Sequence, residues 1–319
     1  MKEKPTNPID KLFGNKLFDI EHALSMYAIS YCTLPAEGLY DQDKLKEFKS
    51  VIDKCHIYII GYLPAVKFIT ANQKEQILTT TYSVLGKDYT LEWELPSGFT
   101  FHIEDNLYYV ENTFGQKSWP SEEEIMLRLK QKANIINFEV KYIGQSYGKD
   151  GSRNAVDRLL KHETLQRISL KGIPDEHILT LMLIEVQPDT QMFTLINPWA
   201  ENKDEDGTRI KAGLDKLYGT TEKERIALYE AALIRYFYPD FNKEFKNSFP
   251  STNLKVLQDC YDKDFASVIA EICIDDLPFK LYSKTRAAEN FHIAKHDLHN
   301  DEARTMFFKS DSHGKTIIA

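Results

Sequence analysis

Between residues 56 and 114 the chain is broken by turn signals so often that few folds can accommodate it. HIYIIGYL, EQILTTTYSVL, YTLEWEL, GFTFHIE and LYYVENT are rich in β-branched and aromatic residues, and GK, PSG and EDN separate them. Short segments of this kind predict an antiparallel meander. Upstream, Leu17, Ile20, Leu24 and Tyr27, then Leu45, Phe48 and Val51, fall at helical spacing. They predict two helices between residues 10 and 55, around a turn near Pro35 and Gly38. Downstream, Ser121 followed by Glu124 is a capping-box pattern, which opens a helix running to about Ala133.

From residue 137 the order changes to strand, helix, strand, helix. NFEVKYIG alternates like a strand, and SRNAVDRLLKHETLQRI reads as one helix. ILTLMLIEV is a continuous apolar run, as expected of a central strand covered on both faces. AENKDEDGTR reads as a charged, mobile insertion, and TTEKERIALYEAALIRYFYP as a long helix stopped at Pro239. FASVIAEI, PFKLYS and ARTMFF suggest further strands around a polar, histidine-bearing loop. A chain of 319 residues is long for one core. The expected division is an N-terminal α+β recognition or regulatory domain over 1–125, containing the meander, and a second domain over 126–319.

Charge narrows the function. A formal charge of −8 gives no whole-molecule attraction to nucleic acid. Between Lys141 and Lys171, however, seven Lys or Arg stand against three acids, a basic island suited to an anionic partner. The four cysteines, at 32, 55, 260 and 273, form no CxxC and suggest neither a zinc ribbon nor a disulfide framework, so buried free thiols are expected. No apolar stretch reads as a signal peptide or membrane span, and a cytoplasmic location without membrane attachment is expected.

Several residues sit oddly in their pattern. In the helix over 221–238, Glu230 shares the apolar stripe of Ile226, Leu233, Ile234 and Phe237. A carboxylate removed from water must be paired, hydrogen-bonded or bound to a cation; a buried ion pair and a functional acid are both open. Arg158 and His162, spaced i and i+4, share a helix face directly after the GQSYGKDGS loop, whose N–H groups favour anions. The loop lacks the GK[ST] of a phosphate-binding P-loop, and no GxSxG is present. An ATPase and a serine hydrolase are therefore not indicated. His292, His296 and His299 lie close together, but HxxxH needs a helix and the flanking residues show none, so a polar loop is favoured over zinc.

Taken in order, Tyr142-Ile143-Gly144 at a strand end, Arg158 and His162, Glu230, then Pro239 and Asn242 in YPDFN resemble the GIY-YIG nuclease family over roughly 137–245. The resemblance implies an α+β fold, a small mixed sheet flanked by helices, one divalent cation, magnesium or manganese, and hydrolysis of DNA phosphodiesters, with restriction or anti-phage defence as a setting. It implies that Glu230 is the metal ligand and that Arg158 holds the scissile phosphate. Tyr142 would help orient the attacking water, His162 would assist proton transfer, and Asn242 would brace the site. Gly144, Gln145, Ser146, Lys149, Arg153 and Lys161 would contact the DNA. No GIY stands about ten residues before Tyr142; Leu107-Tyr108-Tyr109-Val110 is the nearest segment of similar character, which makes Tyr108 the expected second phenol. The acidic insertion would shield the site or discriminate among substrates. The competing expectation is a catalytically inactive module that binds nucleic acid or a protein partner, and either reading is compatible with a homo-oligomer or partner subunit.

Overall fold

A computed structural model describes residues 16–104, 107–148, 153–250, 254–306, 309–310 and 316–317. Its first strand, β1, spans Ile20–Pro35. Two short helices follow, α1 over Gln42–Glu47 and α2 over Lys49–Ile52, before strand β2 at Ile57–Pro64. Strands β3 (Lys67–Lys74), β4 (Ile77–Val84) and β5 (Lys87–Glu94) form one three-stranded antiparallel sheet. Strands β6 (Thr100–Glu104), β7 (Leu107–Glu111) and β8 (Lys117–Ser118) form another. Helix α3 covers Glu122–Ala133, with the Ser121 hydroxyl accepting the Glu124 N–H as the capping pattern predicts.

Strand β9 (Asn137–Gln145) leads to helices α4 (Ala155–Leu159) and α5 (Glu163–Leu170), then to strands β10 (His177–Val186) and β11 (Gln191–Ile196). Helices α6 (Thr208–Gly219), α7 (Glu222–Phe237) and α8 (Lys255–Asp262) precede strands β12 (Ser267–Cys273), β13 (Lys280–Ser283), β14 (Arg286–Glu289) and β15 (Phe291–Asp297).

The fold is α+β, built on a nine-stranded mixed sheet in the order β14-β13-β9-β2-β10-β1-β12-β15, with β11 also paired to β1. Only β1 with β12 and β13 with β9 run parallel. Alternate residues of β2 feed two cores. Ile57 and Ile59 join Leu233 and Phe237 of α7 on one face, while Tyr58, Ile60 and Tyr62 join Leu159, Leu165 and Ile168 on the other. As its apolar run requires, β10 is central and lies between β2 and β1.

Several expectations change, among them the strand expected in ARTMFF, where Glu302–Arg304 form a 3-10 turn instead. Residues 20–35 are a strand rather than helix: Ile20–Met26 are buried on both faces, so the period-two signature is missing and a helical spacing arises by coincidence. The part of the expected helix over residues 10–15 lies outside the described residues. HIYIIGYL is not in the meander, because β2 pairs antiparallel with β9 and β10 in the large sheet. That sheet draws strands from both sides of residue 125, so a division into 1–125 and 126–319 cuts through it. Finally, the three histidines stand on and just after β15 rather than in a loop.

Each of those histidines is held by backbone: His292 by the Leu281 and Glu289 carbonyls (both 3.1 Å), His296 by Ala232 (3.0 Å) and His299 by Phe265 (3.0 Å). Of the cysteines, 32, 55 and 260 are buried and 273 is exposed; all four are free thiols. The acidic insertion is pinned rather than loose. Asp204 accepts the N–H groups of Arg209 (2.9 Å) and Ile210 (3.2 Å) at the start of α6 and donates its own to Asp19 (3.0 Å). Beside it, Arg304 and Arg209 close on buried Glu21, with Arg304 Nε 2.5 Å and Arg209 Nη2 3.1 Å from the carboxylate. No described helix is long and apolar enough to cross a membrane.

Candidate active site

Two paired strands set the site. Tyr58 stands opposite Gly144, and Ile60 opposite Tyr142, in the antiparallel β2–β9 ladder. A Cβ on Gly144 would lie 2.5 Å from the Tyr58 phenolic oxygen, so only glycine lets that ring rest across the neighbouring strand. The two tyrosine rings are stacked, with centroids 6.2 Å apart.

Helix α7 supplies the acid. Its start is fixed by a reciprocal capping box of Thr221 and Glu224, and its end by Tyr238 in the left-handed region (φ 52°) ahead of Pro239. Just past its middle, Glu230 is 9% exposed. It reaches a cleft of about 480 Å³ whose lining includes Tyr58, Tyr142, Gln145, Arg158, Arg167 and Asn242. Burial raises the Glu230 carboxyl to about 8, helped by the like charge of Glu244 and opposed by hydrogen bonds from the Gln145 side chain and backbone. Among the described residues no Lys or Arg forms an ion pair with it. The structural ion pair that a buried acid usually needs is therefore not what holds Glu230.

Arg158 is exposed on α4 and lines the same cleft as Tyr58 and Tyr142. His162 is not its neighbour on one helix. The chain turns at Leu160 and Lys161, and His162 becomes the N-cap of α5, its Nδ1 accepting the Leu165 N–H at 3.3 Å. Burial, with Arg158 nearby, lowers the His162 pKa to about 4. The ring is thus neutral at pH 7 and carries its proton on Nε2, which donates to the Tyr58 oxygen at 3.1 Å. His162 lies behind Tyr58 and is not in the cleft lining. It holds the phenol in place, a different task from the proton transfer expected of it. Asn242 braces β9: its Oδ1 accepts the Ile143 N–H (3.0 Å) and its Nδ2 donates to the Ile143 carbonyl (2.8 Å).

The remaining expected residues divide. Gln145 lines the cleft beside Glu230. Ser146 is buried and its backbone is tied to His56, whose carbonyl accepts the Ser146 N–H at 2.7 Å and whose Nδ1 donates to the Ser146 carbonyl at 2.8 Å. Arg153 and Lys161 are exposed outside the lining, and Lys149 lies outside the described residues. Tyr108 is not brought to the site. It packs in an aromatic cluster with Phe68 (centroids 4.4 Å), Phe101 and Trp119 among the small sheets. No residue of the acidic insertion lines the cleft.

Sequence reading missed Tyr58, Thr164, Arg167, Phe241, Lys243 and Glu244, all of which line the cleft. The signal for Tyr58 was present in His56-Ile57-Tyr58, but two small sheets and α3 separate it from Tyr142 along the chain. Among the described residues no three His, Cys, Asp or Glu side chains converge on a metal-sized site. A cation here would take Glu230 plus water and substrate oxygens, and one buried carboxylate without a counter-charge fits that donor set.

No protein-family model matches the chain, and neither does any curated protein or solved structure.

Proposed function

We propose that the chain is a divalent-cation-dependent endonuclease of the GIY-YIG type that hydrolyses DNA phosphodiester bonds. The observation that carries this reading is a buried acid, Glu230, with no basic partner among the described residues, set across one cleft from Arg158, Tyr58 and Tyr142. A tyrosine on the strand paired with Tyr142-Ile143-Gly144 also answers the resemblance's need for a first motif, with His56-Ile57-Tyr58 in place of GIY. The inactive-module alternative drew its support from a missing first tyrosine; in this reading Tyr58 fills that place.

When bound at Glu230, magnesium or manganese would offset charge developing on the phosphate and the leaving oxygen. Arg158 donates to a non-bridging oxygen and stabilises the same charge with donors already in place. The phenols of Tyr58 and Tyr142 orient the attacking water. Its oxygen bonds to phosphorus as the bond to the leaving oxygen breaks, and protons exchange with solvent. His162 keeps the Tyr58 oxygen at its post, while Asn242 keeps Tyr142 at its height in the sheet.

Supercoiled plasmid incubated with the protein and magnesium or manganese tests this. Nicking or linearisation is expected, reduced by about 100-fold or more in Glu230→Ala and Arg158→Ala. Failure of the wild type to cut with either metal, or equal cutting by Glu230→Ala, overturns the reading.

A further inference from the structure

The cleft continues past Arg158 along one face of α5. Thr164, Arg167 and Lys171 recur there at intervals of three and four, and so share that face. Opposite them lies Phe241, in the segment that carries Asn242. Two cations lean on its ring: Lys171 Nζ is 4.8 Å and Arg167 Cζ 5.8 Å from the centroid. The ring is itself fixed. The Phe241 N–H donates to the Lys141 carbonyl (3.1 Å), and Arg167 Nη2 donates to the Phe241 carbonyl (3.5 Å). Lys243 extends from the same segment into the cleft.

These cations, two of them placed by Phe241, are not neutralised by any described carboxylate. Among the described residues neither Arg167, Lys171 nor Lys243 forms an ion pair, whereas Lys141, which begins the same basic island, is held by Glu139 (2.6 Å) and Asp240 (3.0 Å). Exposed cations without a carboxylate partner, held beside a cleft on a chain of charge −8, offer a local site for an anion from outside.

We propose that Arg167, Lys171 and Lys243 form a second phosphate subsite, which holds the polynucleotide backbone next to the scissile phosphate, with Phe241 as the positioning residue that sets Arg167 and Lys171. This rests on the nuclease reading. It assigns the substrate class as a polynucleotide with phosphates flanking the cut, as opposed to a small phosphodiester. Backbone contacts of this kind carry no base information, so the subsite serves any sequence.

The test is binding of a fluorescein-labelled single-stranded 20-mer in EDTA over a series of salt concentrations, with cleavage of the same oligonucleotide measured in magnesium. Arg167→Gln with Lys171→Gln should weaken binding at least tenfold and flatten the plot of log affinity against log salt by about 1.4, two phosphates' worth for a single strand. In cleavage the pair should raise KM and leave kcat within about twofold. Phe241→Leu keeps an apolar side chain but removes the ring face, and should move affinity and slope the same way by a smaller amount. An unchanged salt slope in the double variant overturns the subsite, even where the wild type cuts DNA normally. Binding with the expected slope loss in a protein that cuts nothing leaves the subsite standing and removes the nuclease.

Discussion

Burial favours the protonated form of Glu230, and the sign of that effect on folding follows directly. Its folded pKa of about 8 lies above the unfolded value of 4.5, so between those two pH values the folded state holds a proton that the unfolded state has released. Stability then falls as pH rises through that window. Glu230→Gln removes the dependence, so its advantage over wild type in urea midpoint should grow from pH 5 to pH 8, at a rate approaching about 1.4 kcal/mol per unit. A constant offset across that range would show that the carboxyl is not kept protonated by burial. The same proton competes with a cation, so magnesium affinity should fall about tenfold for each unit of acidification below pH 8; calorimetry at pH 6, 7 and 8 reads this. Gly144 is the other residue with sharp consequences. An alanine there meets the Tyr58 oxygen at 2.5 Å and must displace the phenol or the strand. A loss of roughly 1–3 kcal/mol is expected in chemical denaturation, with cleavage falling further than stability alone explains.

Elements with local signals were readable from sequence, and elements defined by distant partners were not. Helix α3 starts where Ser121 and Glu124 predict, and α7 runs from its Thr221 cap to Phe237, just ahead of Pro239, because caps act within four residues of themselves. The helix expected over 152–168 is broken in two because His162 leaves helical geometry to cap α5 and to reach Tyr58. Nothing in the spacing of Arg158 and His162 could show that, since it depends on a tyrosine from another strand. His162→Ala should lose both contacts at a cost of about 1–2 kcal/mol, while His162→Asn should recover the cap and leave Tyr58 untethered. Comparing their melting temperatures with their cleavage rates separates the two tasks; equal rates in the wild type and both variants would show that Tyr58 needs no tether from His162. Within the site, Glu230, Arg158, Tyr142, Gln145 and Asn242 were legible because each breaks or completes a local pattern. Tyr58 was hidden as an ordinary strand tyrosine, and Arg167 and Phe241 as ordinary surface and loop residues.

The whole molecule is organised by its largest sheet, and the order of that sheet contradicts the order of the chain. Strands β2 and β9 touch along their length although two small sheets and α3 lie between them in sequence, so both tyrosines depend on one long-range pairing. A fragment of residues 126–319 lacks β2 and β1, the strands on either side of β10, and should not give a cooperative melting transition on its own; a sharp transition would revive the division at 125. Synthesis meets the same topology. Among the described residues, the strands paired with β1 are β10, β11 and β12, none of which begins before His177. On the ribosome, the 16-residue β1 is therefore made well before any of the strands it pairs with, and waits unpaired until β10 follows. Soluble yield in a producing cell should consequently follow the supply of holdase chaperones more closely than it follows any gain in native stability.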